Sequence, residues 1–173
     1  MVTSILFLIT VVSCSSLVII VYLFLKKQGD KEIVKLRTEL HKQRQDFFLP
    51  SRLDAYERSV LLLERIHPNS LIMRVHNPNL NAALFQAELV KSVRNEFEHN
   101  LAQQIFISTA TWDIIRNSKD EVIKLIHMAG SQMNEKSTSK DLSEKIFEIV
   151  AQLEDFPTSI AVKIIKKEFQ ELF

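Results

Sequence analysis

The chain has 173 residues, of which 22 are basic and 21 acidic, so its net charge is +1. Glycine occurs twice, at Gly29 and Gly130, which excludes the phosphate-binding G-x-x-x-x-G-K-[ST] loop, the G-x-G-x-x-G dinucleotide turn and the G-x-S-x-G nucleophile elbow. The single cysteine, Cys14, excludes internal disulfides and thiolate zinc sites.

The opening segment, residues 2–25, carries no charged side chain. About 24 residues at ~1.5 Å per residue make a helix long enough to cross a ~30 Å hydrocarbon core. We therefore predict an uncut transmembrane helix over 2–25. A cleaved signal would have basic residues before a shorter apolar run. Lipidation of Cys14, which ends the lipobox-like Val11-Val12-Ser13-Cys14, is left open.

A basic cluster follows the predicted span: residues 26–50 carry seven basic and four acidic side chains. The positive-inside rule then places the rest of the chain in the cytoplasm, with the N-terminus outside the inner membrane. Lys26, Lys27 and Lys31 lie at the lipid surface in this arrangement, where each gains ~1 kcal/mol from anionic lipid. We therefore predict lipid contacts through residues 2–27.

The remaining residues, 51–173, carry 15 basic and 17 acidic side chains. A nucleic-acid-binding domain usually has a basic face. This part of the chain has no basic excess, so no nucleic-acid partner is predicted.

Residues 26–50 are predicted to form a juxtamembrane basic helix or stalk, with Asp30 as its N-cap and Pro50 at its end. A thin apolar stripe runs along this helix, formed by Ile33, Leu36, Leu40 and Phe47. The stripe favours one of two arrangements, a short parallel coiled coil between copies or docking on the chain's own domain.

Residues 51–173 are predicted to form one helical domain, which makes the chain all-α with about five or six helices after the span. Helical periodicity begins near Ser51, Asn81 and Thr111, at Ser139 or Asp141, and after Pro157. The helix from about 81 to 107 is expected to be central. Between the helices, we predict a buried extended connector over 67–79 and a flexible loop over 131–140.

Three stretches, RLDAYER at 52–58, LERI at 63–66 before Pro68, and EFEHNLAQQI at 96–105, resemble an uncharacterised family. It is a family of single-span bacterial membrane proteins with an all-helical domain of unknown function. The resemblance implies membrane anchoring and a helical fold. It implies no activity and no catalytic residues.

Two Glu-x-x-His pairs, Glu64 with His67 and Glu96 with His99, raise the question of a metal site. Di-iron bundles use two such pairs together with a glutamate from each of two further helices. The nearest additional glutamates, Glu57 and Glu88, are expected on the same helices as the pairs. We therefore predict no metal ligand, no cofactor and no catalytic residue.

The densest group of hydrogen-bonding side chains is the polar cluster, defined as Glu96, Glu98, His99, Asn100 and Gln103. One interpretation is a buried network that fixes the register of the helix, and it is our first interpretation of His99. The other is a partner-binding face around Phe97.

These patterns predict a membrane-anchored cytoplasmic protein-interaction protein, a scaffold, adaptor or complex subunit of unknown pathway. We expect a protein partner or self-association. The alternative is a membrane-bound helical enzyme, or a small-molecule or lipid sensor, whose site leaves no motif.

Overall fold

The structure, a computed structural model, describes residues 2–171, except for the side chains of residues 2–16, 18–20 and 30. Within this range lie six α-helices: α1 (Val2–Ile66), α2 (Pro68–Val75), α3 (Ala82–His99), α4 (Thr109–Gly130), α5 (Ser139–Ala151) and α6 (Pro157–Gln170). A 3-10 helix, Leu101–Ile105, follows α3. The predicted all-α fold is therefore confirmed.

None of the helices is both long and apolar enough to cross a bilayer, judged on the residues that the structure describes. The predicted span over 2–25 lies largely outside the described side chains. Within this segment the structure describes the side chains of Leu17 and residues 21–25, and each of these residues has 54–63% of its surface exposed.

The chain divides into two compact units, Met1–Leu49 and Pro50–Phe173. Helix α1 contains Pro50, so the predicted helix end at this proline is wrong. A proline inside a helix leaves the carbonyl four residues earlier without its donor. Asp46 and Pro50 are both exposed, so water can hydrate that carbonyl.

The second unit has one hydrophobic core, to which α1 contributes a regular buried face. This face has helical spacing and consists of Ala55, Tyr56, Ser59, Leu62, Leu63 and Ile66. Helix α4 packs against α3, α5 and α6. The central helix predicted over about 81–107 corresponds to α3, which ends at His99 and is therefore shorter than predicted. Helix α4, with 22 residues, is longer than α3.

The prediction of an extended connector over 67–79 is wrong, because Pro68–Val75 form helix α2. Pro68 occupies the first helical turn, where its missing N–H costs nothing. His67 is the N-cap, and its Nδ1 accepts a hydrogen bond from the Asn69 backbone N–H at 3.3 Å. Leu71 and Ile72 are buried in the core. Eight residues are too few to display a helical period in the sequence.

Side-chain caps shift two other predicted helix starts. Ser108, not Thr111, caps α4, and its Oγ accepts from the Thr111 backbone N–H at 3.2 Å. Thr138 caps α5 in a reciprocal capping box with Asp141. The C-terminal end of the loop before α5 is hydrogen-bonded to residues 80–82: the Ala82 N–H donates to the Ser137 carbonyl at 2.9 Å.

The buried face of α1 gives a direct test of the core. Leu62 is fully buried and its neighbour Leu61 is 55% exposed. Leu62→Ala should lower the free energy of unfolding by about 2–5 kcal/mol, because it leaves a cavity. Leu61→Ala should cost less than about 1 kcal/mol. Denaturant unfolding of the full-length chain in mild detergent measures both, and equal losses would contradict the assigned helix face.

The cap of α2 predicts a pH effect. Burial lowers the pKa of His67 below its ordinary value of 6.5, although the charge of Glu64 opposes this. The neutral imidazole therefore stabilises the fold above pH 6.5, and that contribution is lost as the pH falls through the lowered pKa. His67→Asn keeps a cap acceptor but does not titrate. Thermal melts from pH 7.5 to 5.5 should show a smaller decline in this variant; an unchanged decline would refute the role.

Candidate functional site: an apolar groove between helices α1 and α6

The part of α1 inside the second unit carries a second apolar stripe beside its buried face. Its apolar members are Leu53, Val60 and Leu61, and Glu57 and Glu64 lie beside them at helical spacing. Leu53 is 40% and Leu61 55% exposed, and Val60 is half-buried. The apolar residues between Leu53 and Ile66 therefore divide into a core side and an open side.

The open side of α1 faces α6 across a groove of about 420 Å³. From α6 the groove receives Ile165, Lys166 and Phe169. The rings of Phe169 and Tyr56 meet at its base with centroids 5.5 Å apart. We call this feature the α1–α6 groove. Its floor and walls are mainly apolar, and its charged groups, Glu57, Glu64 and Lys166, are exposed.

A carboxylate next to Phe169 fixes the two walls. Glu168 of α6 accepts a hydrogen bond from the Tyr56 hydroxyl at 2.5 Å and another from the Ser108 hydroxyl at 2.7 Å. The Ser108 backbone N–H donates to the same carboxylate at 3.2 Å, and the Thr111 hydroxyl also donates to it. Four donors from α1 and the start of α4 thus converge on one side chain. We call this group the Glu168 clamp.

The electrostatics of the clamp favour a charged carboxylate and a neutral phenol. Burial disfavours ionisation of Glu168, but the hydrogen bonds from Thr111, Tyr56 and Ser108 outweigh it and lower its pKa. The N-terminus of α4 adds a favourable helix dipole. Burial, followed by the hydrogen bond to Glu168 and its charge, raises the pKa of Tyr56 to about 12.

The clamp is a structural device. A carboxylate offers about four acceptor positions. Four donors occupy them here, so Glu168 has no free lone pair with which to act as a base. The Tyr56 hydroxyl donates a hydrogen bond to Glu168 and stays protonated at neutral pH. The groove beside them is built for apolar contacts.

The structure separates the predicted polar cluster. Glu96 is half-buried and its Oε1 pairs with the Arg65 Nε at 2.9 Å. Asn100 is buried and caps α3, donating from Nδ2 to the Glu96 carbonyl at 2.8 Å. Gln103 lies half-buried in the 3-10 helix. These residues hold the end of α3 in place.

His99 and Glu98 lie elsewhere. Both are exposed, because the inward positions of this turn of α3 belong to Val93 and Phe97. His99 is therefore not part of a buried network, contrary to our first interpretation. Glu98 lines a shallow depression of about 540 Å³ between α3 and His127 of α4.

That depression also receives Lys91, Arg94 and His127, and the Gln86 Nε2 lies 2.8 Å from the His127 Nδ1. Its mixed charges give no defined ligand chemistry.

The residues of the Glu-x-x-His pairs have other roles. His67 caps α2 and its ring contacts Phe156 edge-on at 5.2 Å, while Glu64 is exposed on the groove rim. In the part of the chain that the structure describes, no three His, Cys, Asp or Glu side chains are grouped to hold a metal ion. Lys26, Lys27 and Lys31 are exposed on α1.

Sequence reasoning missed the α1–α6 groove. The available signal was the width of the apolar face over residues 53–66, which exceeds what one packing contact buries. Its opposite wall came from α6, and no sequence pattern pairs that helix with α1.

The Glu168 clamp predicts a pH-dependent stability. Its lowered pKa means that the carboxylate stabilises the fold above about pH 4.5, and that contribution is lost as the pH falls through the lowered pKa. Glu168→Gln should lower the free energy of unfolding by about 1.5–3 kcal/mol at pH 7. The difference from wild type should shrink as the pH falls below about 4.5. Denaturant unfolding at pH 7 and pH 3.5 measures it; a difference independent of pH would contradict the clamp.

The chain was compared with known protein families, curated proteins and solved structures. No curated protein and no solved structure is similar enough to the chain to count as a match. A protein-family model matches residues 3–172, which is nearly the whole sequence. The predicted membership of an uncharacterised family is confirmed: the chain belongs to DUF7935, a family of unknown function.

Proposed function

We propose that this chain is a single-span bacterial membrane protein whose cytoplasmic domain binds an amphipathic helix of a protein partner in the α1–α6 groove. It would then act as a scaffold, adaptor or complex subunit. The observation that carries the proposal is the groove itself, an exposed apolar surface with walls fixed by the Glu168 clamp. Exposed apolar surfaces rimmed by polar residues are typical of protein-interaction sites.

The shape and spacing of the groove favour a helix as the occupant. Its α1 wall runs from Leu53 to Glu64, about three turns or roughly 16 Å. A partner helix places its anchors at i, i+3, i+4 and i+7 along the same length. On the α1 wall, Leu53 and Val60 offer apolar contacts seven residues apart, with Leu61 next to Val60.

The rim charges favour a basic partner. Glu57 and Glu64 stand one above the other on the α1 wall, and Lys166 is the single basic group of the lining. Lysine or arginine beside the apolar stripe of the partner would complement the two glutamates. An acidic helix would meet repulsion there.

The membrane anchor is supported by the sequence. Residues 2–25 have no charged side chain, and the seven basic residues of 26–50 follow directly. This charge pattern supports an outside N-terminus and a cytoplasmic domain in the inner membrane. Lys26, Lys27 and Lys31 would contact anionic lipid. The anchor would confine the chain to the membrane.

Binding is favoured over catalysis by the state of the groups next to the groove. The acceptor positions of Glu168 are occupied, and the phenol of Tyr56 is held neutral by a pKa of about 12. Neither group is prepared to act as a nucleophile or general base.

Site-specific photocross-linking in native membranes tests this proposal. A photoreactive amino acid at Leu61 should cross-link to an amphipathic helix with basic residues, identified by mass spectrometry of the joined peptides. The same probe at Met73 is the matched control, because Met73 is 81% exposed on α2 and lies outside the groove lining. It should give less than a tenth of that product.

A charge placed in the groove should separate binding from folding. In the Leu61-probe chain, Leu53→Glu should reduce the cross-linked product at least tenfold, because a carboxylate cannot be desolvated against an apolar face. The melting temperature should change by less than ~3 °C, since Leu53 is already 40% exposed. Equal products at Leu61 and Met73, or an unaffected product in the Leu53→Glu chain, would overturn the proposal.

A further inference from the structure

A second apolar feature lies in the first unit, and the α1–α6 groove does not use it. Ile33, Leu36 and Leu40 are 52–53% exposed on α1, and Phe47 is 76% exposed. Large apolar side chains exposed at helical spacing form a stripe on which another helix can pack. The question is which helix fits.

The stripe has heptad spacing. With Ile33 at position a, Leu36 falls at d, Leu40 at the next a and Phe47 at the third a. The remaining d position holds the polar Gln43. The first heptad, with Ile33 at a and Leu36 at d, has the pattern typical of two-stranded parallel coils. The seam is bounded by Gly29 and Pro50 at the flanking d positions.

The charges beside the stripe select the partner. Every g position from 32 to 46 is acidic, and both e positions within the stripe are basic: these residues are Glu32, Glu39 and Asp46 at g, and Arg37 and Arg44 at e. All five side chains are exposed. Such a strict separation of sign makes the stripe complementary to a copy of itself.

In a parallel, in-register pair, each g residue faces the e residue five positions further along the other helix. Glu32 then faces Arg37 of the second copy, and Glu39 faces Arg44 of the second copy, which gives four ion pairs by symmetry. In an antiparallel pair, g faces g and e faces e, so like charges would meet. The charge pattern therefore favours one orientation and disfavours the other.

We propose that residues 33–47 of two copies of this chain form a parallel, in-register coiled coil. The seam spans about two heptads, so association between free chains is weak. The proposed membrane anchor strengthens it, because two copies held in one bilayer meet at a high effective concentration. The expected strength of the dimer therefore rests on the proposed function, which includes the anchor. Its geometry follows from the stripe and its charges.

Disulfide mapping of the full-length chain in membranes tests the geometry. With Cys14→Ser as background, Leu40→Cys places a thiol at an a position of the seam. Thr38→Cys is the control, because position f faces away from the seam and Thr38 is exposed. Mild oxidation should yield at least tenfold more disulfide-linked dimer from Leu40→Cys. Equal yields from the two positions would overturn the inference.

Charge reversal tests the pairing. In the Leu40→Cys chain, Arg37→Glu with Arg44→Glu should reduce dimer yield at least fivefold, and so should Glu32→Arg with Glu39→Arg. Co-expression of the two reversed chains should restore a mixed dimer, because complementary pairs form again. The control pair Lys35→Glu with Lys42→Glu makes the same charge change at c positions and should leave the yield within twofold.

Failure to restore the mixed dimer, or equal losses in the control, would contradict the proposed coil. Alkaline extraction of the same samples separates this result from the membrane proposal. If the chains are released into the supernatant and Leu40→Cys still gives more disulfide-linked dimer than Thr38→Cys, the anchor is refuted and the coil is retained. Membrane-held chains without that preference would refute the coil and retain the anchor.

Discussion

The second unit depends on one half-buried carboxylate at the meeting point of three helices. Glu168 of α6 accepts hydrogen bonds from Tyr56 of α1 and from Ser108 and Thr111 at the start of α4. Leaving these polar groups unpaired in a partly buried position would cost more than the paired network contributes. The clamp therefore restricts the positions that α6 can take against α1. The groove beside it retains its width because its walls cannot slide independently.

Helix α1 shows how one amphipathic sequence serves several surfaces. Between residues 55 and 66 one face is buried in the core, and the adjacent face, which includes Leu53 and Leu61, remains open to line the groove. Further toward the N-terminus, a separate stripe with heptad spacing is bordered by charges of opposite sign. A helix whose apolar residues exceed what its own unit buries is typical of interaction proteins.

The sequence determined much of this fold in advance, and the misses have physical causes. Apolar periodicity predicted the all-α class and most helices of the second unit, because a core-facing stripe repeats every three to four residues. Helix α2 lies where an extended connector is predicted, because eight residues are too few to show that repeat and Pro68, a common helix breaker, here opens a helix. Pro50 was expected to end a helix that in fact continues through it. The Glu168 clamp joins residues 112 positions apart, Tyr56 and Glu168, and no local pattern encodes that meeting.

In the proposed function, a partner helix occupies the α1–α6 groove in native membranes. Thiol accessibility tests it most directly, with single cysteines at Leu61 and at the exposed Met73 in a Cys14→Ser background. A membrane-permeant maleimide should label Leu61→Cys at least tenfold more slowly in native membranes than in the purified full-length chain. Met73→Cys should react at the same rate in both. Equal rates for Leu61→Cys in membranes and in the purified chain would contradict the account.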